Sequence, residues 1–170
     1  MRLPEGVEWA LHSAWLLALV PDDGSLPARR LAEFYDLPQP YLAKILKSLV
    51  SAGVLTAVSG PRGGFRLARV PEEISVLDIV EALEGRAQVF RCAEIRQRGP
   101  APLTGEACRR PCGIAKVMYD AETEWRAGLA RSSVADLVAE AGPASIGRAS
   151  AWLAQGGAAA ADQDAGGAVS

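Results

Sequence analysis

Residues 60–68 read Gly-Pro-Arg-Gly-Gly-Phe-Arg-Leu-Ala, and no other run in the 170-residue chain limits its architecture so strongly. The turn cluster at 59–64 lies between two short apolar and β-branched runs, 54–58 and 65–68. That pattern predicts a two-stranded hairpin with a thin, glycine-lined tip. The chain before it is patterned for helices. Val7, Ala10, Leu11, Ala14, Leu17 and Ala18 recur at helical spacing and predict a helix over 6–20, ended by Asp22-Asp23-Gly24. Pro27 suits the first turn of a second helix, 28–35. After the break Leu37-Pro38-Gln39-Pro40, a third helix over 41–52 carries Leu42, Ile45, Leu46, Leu49 and Val50 on its apolar face, with Gly53 as its cap. Helix, short break, helix and hairpin in this order describe a winged helix-turn-helix.

A fourth helix is expected over 76–83, closed by Gly85. Residues 86–111 have no clean periodicity and include Gly99-Pro100-Ala101-Pro102, a length that points to a functional loop. Ile114, Val117, Met118, Ala121, Trp125 and Leu129 predict a long helix over 113–131, and Ser133 caps a short one over 134–139. Small residues dominate from Gly142 onward, so 142–170 is expected to be an unstructured tail with at most a brief turn at 150–153. The expected fold is mainly α with a small β-hairpin wing, a winged helix-turn-helix plus a long helix. Its divisions are 1–85 for DNA binding, 86–112 for a functional loop, 113–141 for the long and short C-terminal helices, and 142–170 for the tail.

The formal net charge of −2 does not announce a nucleic-acid binder, but the distribution does. Arg29, Arg30, Lys44, Lys47, Arg62, Arg66 and Arg69 concentrate positive charge on the helix-turn-helix and the hairpin. The outward face of the third helix offers Gln39, Tyr41, Lys44, Lys47 and Ser48 to a major groove. Arg62 and Gly63 at the hairpin tip suit a narrow minor groove, with Arg66 behind them and Arg29 on the second helix. The expected partner is double-stranded DNA.

The residues 1–3, Pro40-Tyr41-Leu42, 46–49, 60–68 and 74–85 together resemble the Rrf2 family of repressors, the family of the IscR and NsrR regulators. The resemblance spans about 1–138 and implies a homodimer crossed through the helix from Gly113, reading a palindromic operator. Many members of that family hold an iron–sulfur cluster through three cysteines in the loop before this helix. Here the three cysteines are Cys92, Cys108 and Cys112, spaced differently from the near-even family pattern. Their odd number argues against a disulfide framework. Glu8 and His12 stand at i and i+4, so they share one helix face, and His12 is the only histidine. Residues 6–12 look most like the redox-sensing RsrR branch, which implies mixed Cys, Glu and His ligation of a [2Fe–2S] cluster shared between subunits. Four ligands complete such a cluster and five candidates exist. Cys108 and Cys112 are the nearest pair, with Cys92 as the spare or the replacement of one of them. Trp9, beside Glu8, is the candidate redox-coupled residue, and Arg109 and Arg110 could offset the charge of the thiolates.

The alternative is a regulator of the same fold that senses through thiols or zinc without a cluster. Enzyme readings find no support. Ala115 stands where a radical enzyme of the S-adenosylmethionine type would need its third cysteine, and no phosphate-cradling loop or nucleophile–histidine pair is present. The longest apolar run, 14–20, is too short to span a bilayer, and no signal peptide is visible after Met1, so a cytoplasmic protein with no membrane partner and no small-molecule substrate is expected.

Overall fold

The structure is a computed structural model that describes residues 3–21, 24–60 and 63–165. It is mostly helical, with one two-stranded antiparallel hairpin. The first helix, α1 (Glu5–Leu17), buries Val7, Ala10, Ala14, Leu16 and Leu17. Its one buried polar side chain, Ser13, donates to the Trp9 carbonyl at 2.7 Å, which removes the cost of burying a hydroxyl. The second helix, α2 (Ala28–Tyr35), stops where Asp36 turns left-handed at φ 52°, and α3 (Gln39–Ser51) starts three residues later. That tight turn makes α2 and α3 a helix-turn-helix. Leu42, Ile45, Leu46 and Leu49 of α3 are buried beside Leu31 and Ala32 of α2, each large aliphatic side chain contributing about 1.5–3 kcal/mol.

The wing follows at once. Strand β1 (Leu55–Val58) pairs with β2 (Gly64–Leu67), Thr56 opposite Arg66 and Val58 opposite Gly64. Leu26, in the α1–α2 connection, exchanges both backbone hydrogen bonds with Phe65 at 2.9 Å. That approach is possible only because Gly64 has no side chain: a Cβ there would lie 2.5 Å from the Leu26 carbonyl carbon. Gly63 is constrained in the same way, since a Cβ would lie 2.4 Å from the Val58 carbonyl oxygen.

A capping box of Ser75 and Asp78 starts α4 (Val76–Glu84), which packs on α1 and α3. After the long loop come α5 (Gly113–Ala130), α6 (Val134–Ala139) with its own Ser133–Asp136 capping box, and α7 (Pro143–Ala165). Main-chain bonds from Val76 to Ser132 and from Val134 to Ile74, both 2.8 Å, stitch the end of α5 to the start of α4.

Helix α7 corrects the expectation of an unstructured tail from Gly142. Ala149 is fully buried, and Ile146, Trp152 and Leu153 pack against the main core. Trp152 meets Phe34 edge to face at 4.9 Å and lies under the Arg30 guanidinium at 3.7 Å. The reason is local: four anchors at helical spacing are enough to hold an alanine-rich segment once α2 offers it an aromatic shelf. The core of the DNA-binding half is therefore completed by Val134 and Ala149 and does not end at residue 85.

Candidate functional site

Two groups of side chains carry chemistry, and they lie on different elements. The first is the outer face of the helix-turn-helix and wing. With Leu42, Ile45, Leu46 and Leu49 turned inward, the helical period leaves Gln39, Tyr41, Lys44 and Lys47 exposed, and Ser48 half-buried with its hydroxyl on the Lys44 carbonyl. Arg29 on α2 and Arg66 on β2 are exposed as well. Among the described residues, Arg29, Lys44, Lys47 and Arg66 form no ion pair, whereas Arg30 is committed to Glu33 and Arg69 to Asp78. Within the helix-turn-helix and wing, the cations without an ion pair among the described residues are thus those on the outer face, a disposition suited to phosphate contacts. Gly63 holds the wing turn, its N–H donating to the Gly60 carbonyl at 2.8 Å. Arg62 lies outside the described residues.

The second group is split. Glu8 and His12 are exposed one turn apart on α1, and both line a hollow of about 330 Å³ with Leu3, Pro4, Val7 and Leu11. The His12 ring tilts against Tyr35 at 5.2 Å, and the Tyr35 hydroxyl donates to the His12 carbonyl at 2.9 Å. Burial pushes the Tyr35 phenol well above its usual range, partly offset by the Arg148 charge, so the hydroxyl stays a donor. Trp9 meets Tyr41 of α3 edge to face at 5.1 Å.

Cys92 is exposed, and Cys108 and Cys112 are half-exposed, all with free thiols. Cys112 is the N-cap of α5, its Sγ accepting the Ala115 N–H at 3.4 Å, and Cys108 Sγ lies 3.4 Å from the Leu103 carbonyl. Within one chain, no three His, Cys, Asp or Glu side chains converge as a metal site among the described residues. Glu8 and His12 are not brought to the cysteines of their own chain.

Two clasps around the cysteine loop escaped the sequence reading. At its root, the Glu122 carboxylate accepts the N–H groups of Val89 (3.1 Å) and Phe90 (3.5 Å). Partial burial would raise Glu122, but those N–H groups and Arg126 outweigh it and hold the carboxyl below its ordinary range. Arg126 in turn pairs with Glu81 of α4 at 2.5 Å and donates to the Ala87 carbonyl at 3.2 Å. At the loop's far end, Arg96 is the hub. It binds both carboxylate oxygens of Glu94, at 2.5 and 2.8 Å, the Ala107 carbonyl at 3.3 Å and the Arg110 carbonyl at 3.1 Å. Arg109 instead pairs with Glu106, and Arg110 forms no ion pair among the described residues. The i,i+4 pair Glu122–Arg126 was legible as a helix pair, but its loop partners were not.

Residues 3–140 match the sequence profile of the Rrf2 family, described as an iron-dependent transcriptional regulator. The chain belongs to the Rrf2 family. It is 36% identical over 149 residues to the HTH-type transcriptional repressor NsrR of Streptomyces coelicolor, covering 86% of this chain and 95% of that one. It is 26% identical over 138 residues to the regulator NsrR of Shouchella clausii, covering 81% and 89%. Among solved structures, CymR, the global cysteine regulator of B. subtilis, superposes with a TM-score of 0.67 at 18% identity over 84% of this chain and 99% of that one. IscR of T. potens gives 0.63 at 23% identity over 85% and 90%. The winged-helix fold and a role in transcriptional regulation follow for this Rrf2 protein. No helix among the described residues is long and apolar enough to cross a membrane.

Proposed function

We propose that this Rrf2 protein is a cytoplasmic, homodimeric repressor that binds a palindromic operator under control of a [2Fe–2S] cluster held between subunits. The observation that carries the proposal is the split donor set: a carboxylate and an imidazole stand exposed together on α1, and the thiols stand on a separate loop of the same chain. Glu8 and His12 of one subunit would meet Cys108 and Cys112 of the other, with Cys92 as the alternative thiolate. The donor set fits the group, since thiolates and imidazole are established iron–sulfur ligands. When bound, the cluster supplies reversible one-electron chemistry.

A dimer is supported by α5. Trp125 and Leu129 are folded against Val7, Val76 and Val80, but Ile114, Val117 and Met118 remain 74, 65 and 42% exposed along one stripe. A contiguous apolar stripe at i, i+3 and i+4 is the surface a partner helix covers.

The coupling to DNA runs through α1. Trp9 follows Glu8 and touches Tyr41 on α3, while the His12 carbonyl is held by Tyr35 of α2. A change of charge at Glu8 and His12 therefore reaches both helices of the reading unit through one contact each. Replacing two thiolates by a carboxylate and an imidazole leaves less negative charge, which raises the potential as His ligation does in Rieske centres. Operator affinity is expected to differ tenfold or more between oxidised and reduced protein, about 1.4 kcal/mol of coupling. Arg62 is assigned to the minor groove at the operator flank, beside the main contacts of Lys44 and Lys47.

The deciding experiment mixes two chains anaerobically, E8A/H12A with C108S/C112S. A shared site leaves one complete ligand set in the heterodimer, so iron and sulfide near half of wild type are expected. A heterodimer empty of cluster, from a wild type that is loaded, refutes sharing. A colourless wild-type protein that holds zinc or cycles a disulfide instead establishes the cluster-free alternative.

A further inference from the structure

We propose that Arg96 is the positioning residue of the sulfur site: it fixes the Cys108–Cys112 segment in place and supplies the positive charge that both thiolates face. The proposal rests on the cluster reading above for its redox part and on geometry alone for its positioning part.

Arg96 sits in a single 3-10 turn, Ile95–Gln97, and reaches a second one, Gly105–Cys108. Its side chain is only 22% exposed. All three guanidinium nitrogens are used: Nε and Nη2 grip the two oxygens of Glu94, Nη1 reaches the Ala107 carbonyl, and Nη2 also reaches the Arg110 carbonyl. Ala107 immediately precedes Cys108, and Arg110 stands two residues before Cys112. The fork therefore pins the chain on both sides of Cys108 and just ahead of Cys112, which a flexible ammonium could not do from one point. Glu94 is held for this task in a left-handed conformation at φ 46°, rare for a residue with a side chain, so the backbone bends to deliver the carboxylate. The Glu94 contact raises Arg96 above its ordinary range, and the nearby Cys112 and Cys108 charges raise it further. Arg109, adjacent to Cys108 in sequence, is turned to Glu106 instead. This cation comes from sixteen residues before Cys112 in the chain.

A fixed cation beside an electron-accepting site stabilises the reduced, more negative state. Three variants of the full-length protein separate charge from geometry: R96K keeps charge, R96M keeps neither, and E94Q removes the carboxylate that holds the fork. Two measurements are made. Amide exchange over 105–112 in cluster-free protein reports positioning. It is expected to quicken at least tenfold in R96M and R96K and to a lesser degree in E94Q. Anaerobic redox titration of loaded protein reports charge. In R96M the ratio of reduced to oxidised cluster at a fixed poise is expected to fall at least tenfold, 59 mV for one electron, while R96K stays within threefold of wild type. Unchanged exchange in R96M overturns the positioning role, and a wild-type potential in R96M overturns the charge role. R96M that cannot fold leaves R96K and E94Q to decide: wild-type exchange in both refutes the proposal. Wild-type protein without iron or sulfide refutes the cluster reading and with it the charge role, but the exchange arm still judges the clasp.

Discussion

Replacing Trp152 by alanine tests whether the C-terminal helix belongs to the DNA-reading unit. Trp152 closes against Phe34 and under Arg30, both on α2, and its neighbour Ala149 is fully buried. Truncating a fully buried tryptophan costs about 3–5 kcal/mol, and a half-buried one about half of that, near 2 kcal/mol. The lost cation–π contact adds about 0.5–1 kcal/mol at a partly exposed site. The expected loss is about 2.5–3 kcal/mol, which for a chain of this length lowers the melting temperature by about 5–12 °C. Thermal unfolding of the cluster-free W152A protein gives the number, and W152F, which keeps a ring on the shelf, should recover most of it. The variant also removes the ring under Arg30 and loosens α2, so operator affinity is expected to drop with stability. Melting within 1 °C of wild type would refute the docking of α7 on α2.

Other outcomes are expected elsewhere. Removing Lys44 and Lys47 together deletes four cations from the proposed dimer and should flatten the log–log salt dependence of operator binding by about 3.6, at 0.9 per phosphate contact; an unchanged slope would remove α3 from the phosphate contacts. G64A sets a Cβ against the Leu26 carbonyl carbon at 2.5 Å and should cost about 1–3 kcal/mol in denaturant unfolding; a loss under about 0.5 kcal/mol, the size of an ordinary surface change, would show that the wing is not held to the α1–α2 connection. Glu122 has its carboxyl held below the ordinary 4.5, so its contribution is complete above that pH and is lost as pH falls through the lowered folded value. The stability gap between wild type and E122Q, followed by urea unfolding across pH, should be constant near neutrality and close on acidification; a gap that widens in acid would refute the clasp at the loop root.

Much of this architecture is written in short-range pattern. The 3.6-residue period of Leu42, Ile45, Leu46 and Leu49 sets which face of α3 is buried, and so which lysines are left outside. Gly63 and Gly64 mark the wing because close backbone approach admits no other residue. Boundaries moved by a few residues: α1 stops at Leu17, short of the expected 20, and α3 begins at Gln39. The misses share one cause, partners that are distant in sequence. Alanine and glycine say little about order, so α7 was legible only in the spacing of Ile146, Ala149, Trp152 and Leu153, and its shelf on α2 is 122 residues from Trp152 at Arg30. Arg96 could not be found from spacing, because two of its acceptors are main-chain carbonyls placed by the course of the loop. The long helix was found, but its period did not say that Trp125 and Leu129 face inward while Ile114 and Val117 do not.

The two hydrogen bonds between Leu26 and Phe65 have a consequence for the operator. They clamp β2 to the segment that enters α2, so the helix-turn-helix and this wing strand cannot change their separation without breaking a backbone pair. In the proposed operator complex such a unit would measure its half-site as one rigid length. DNA that places a good flank one base pair too far from a good centre cannot be accommodated by a swinging hairpin, and the adjustment must come from the DNA itself, through twist or bend, at an energy set by the steps in between. Base pairs that no side chain touches would then count toward recognition, because their stiffness decides how cheaply the duplex meets a fixed gauge.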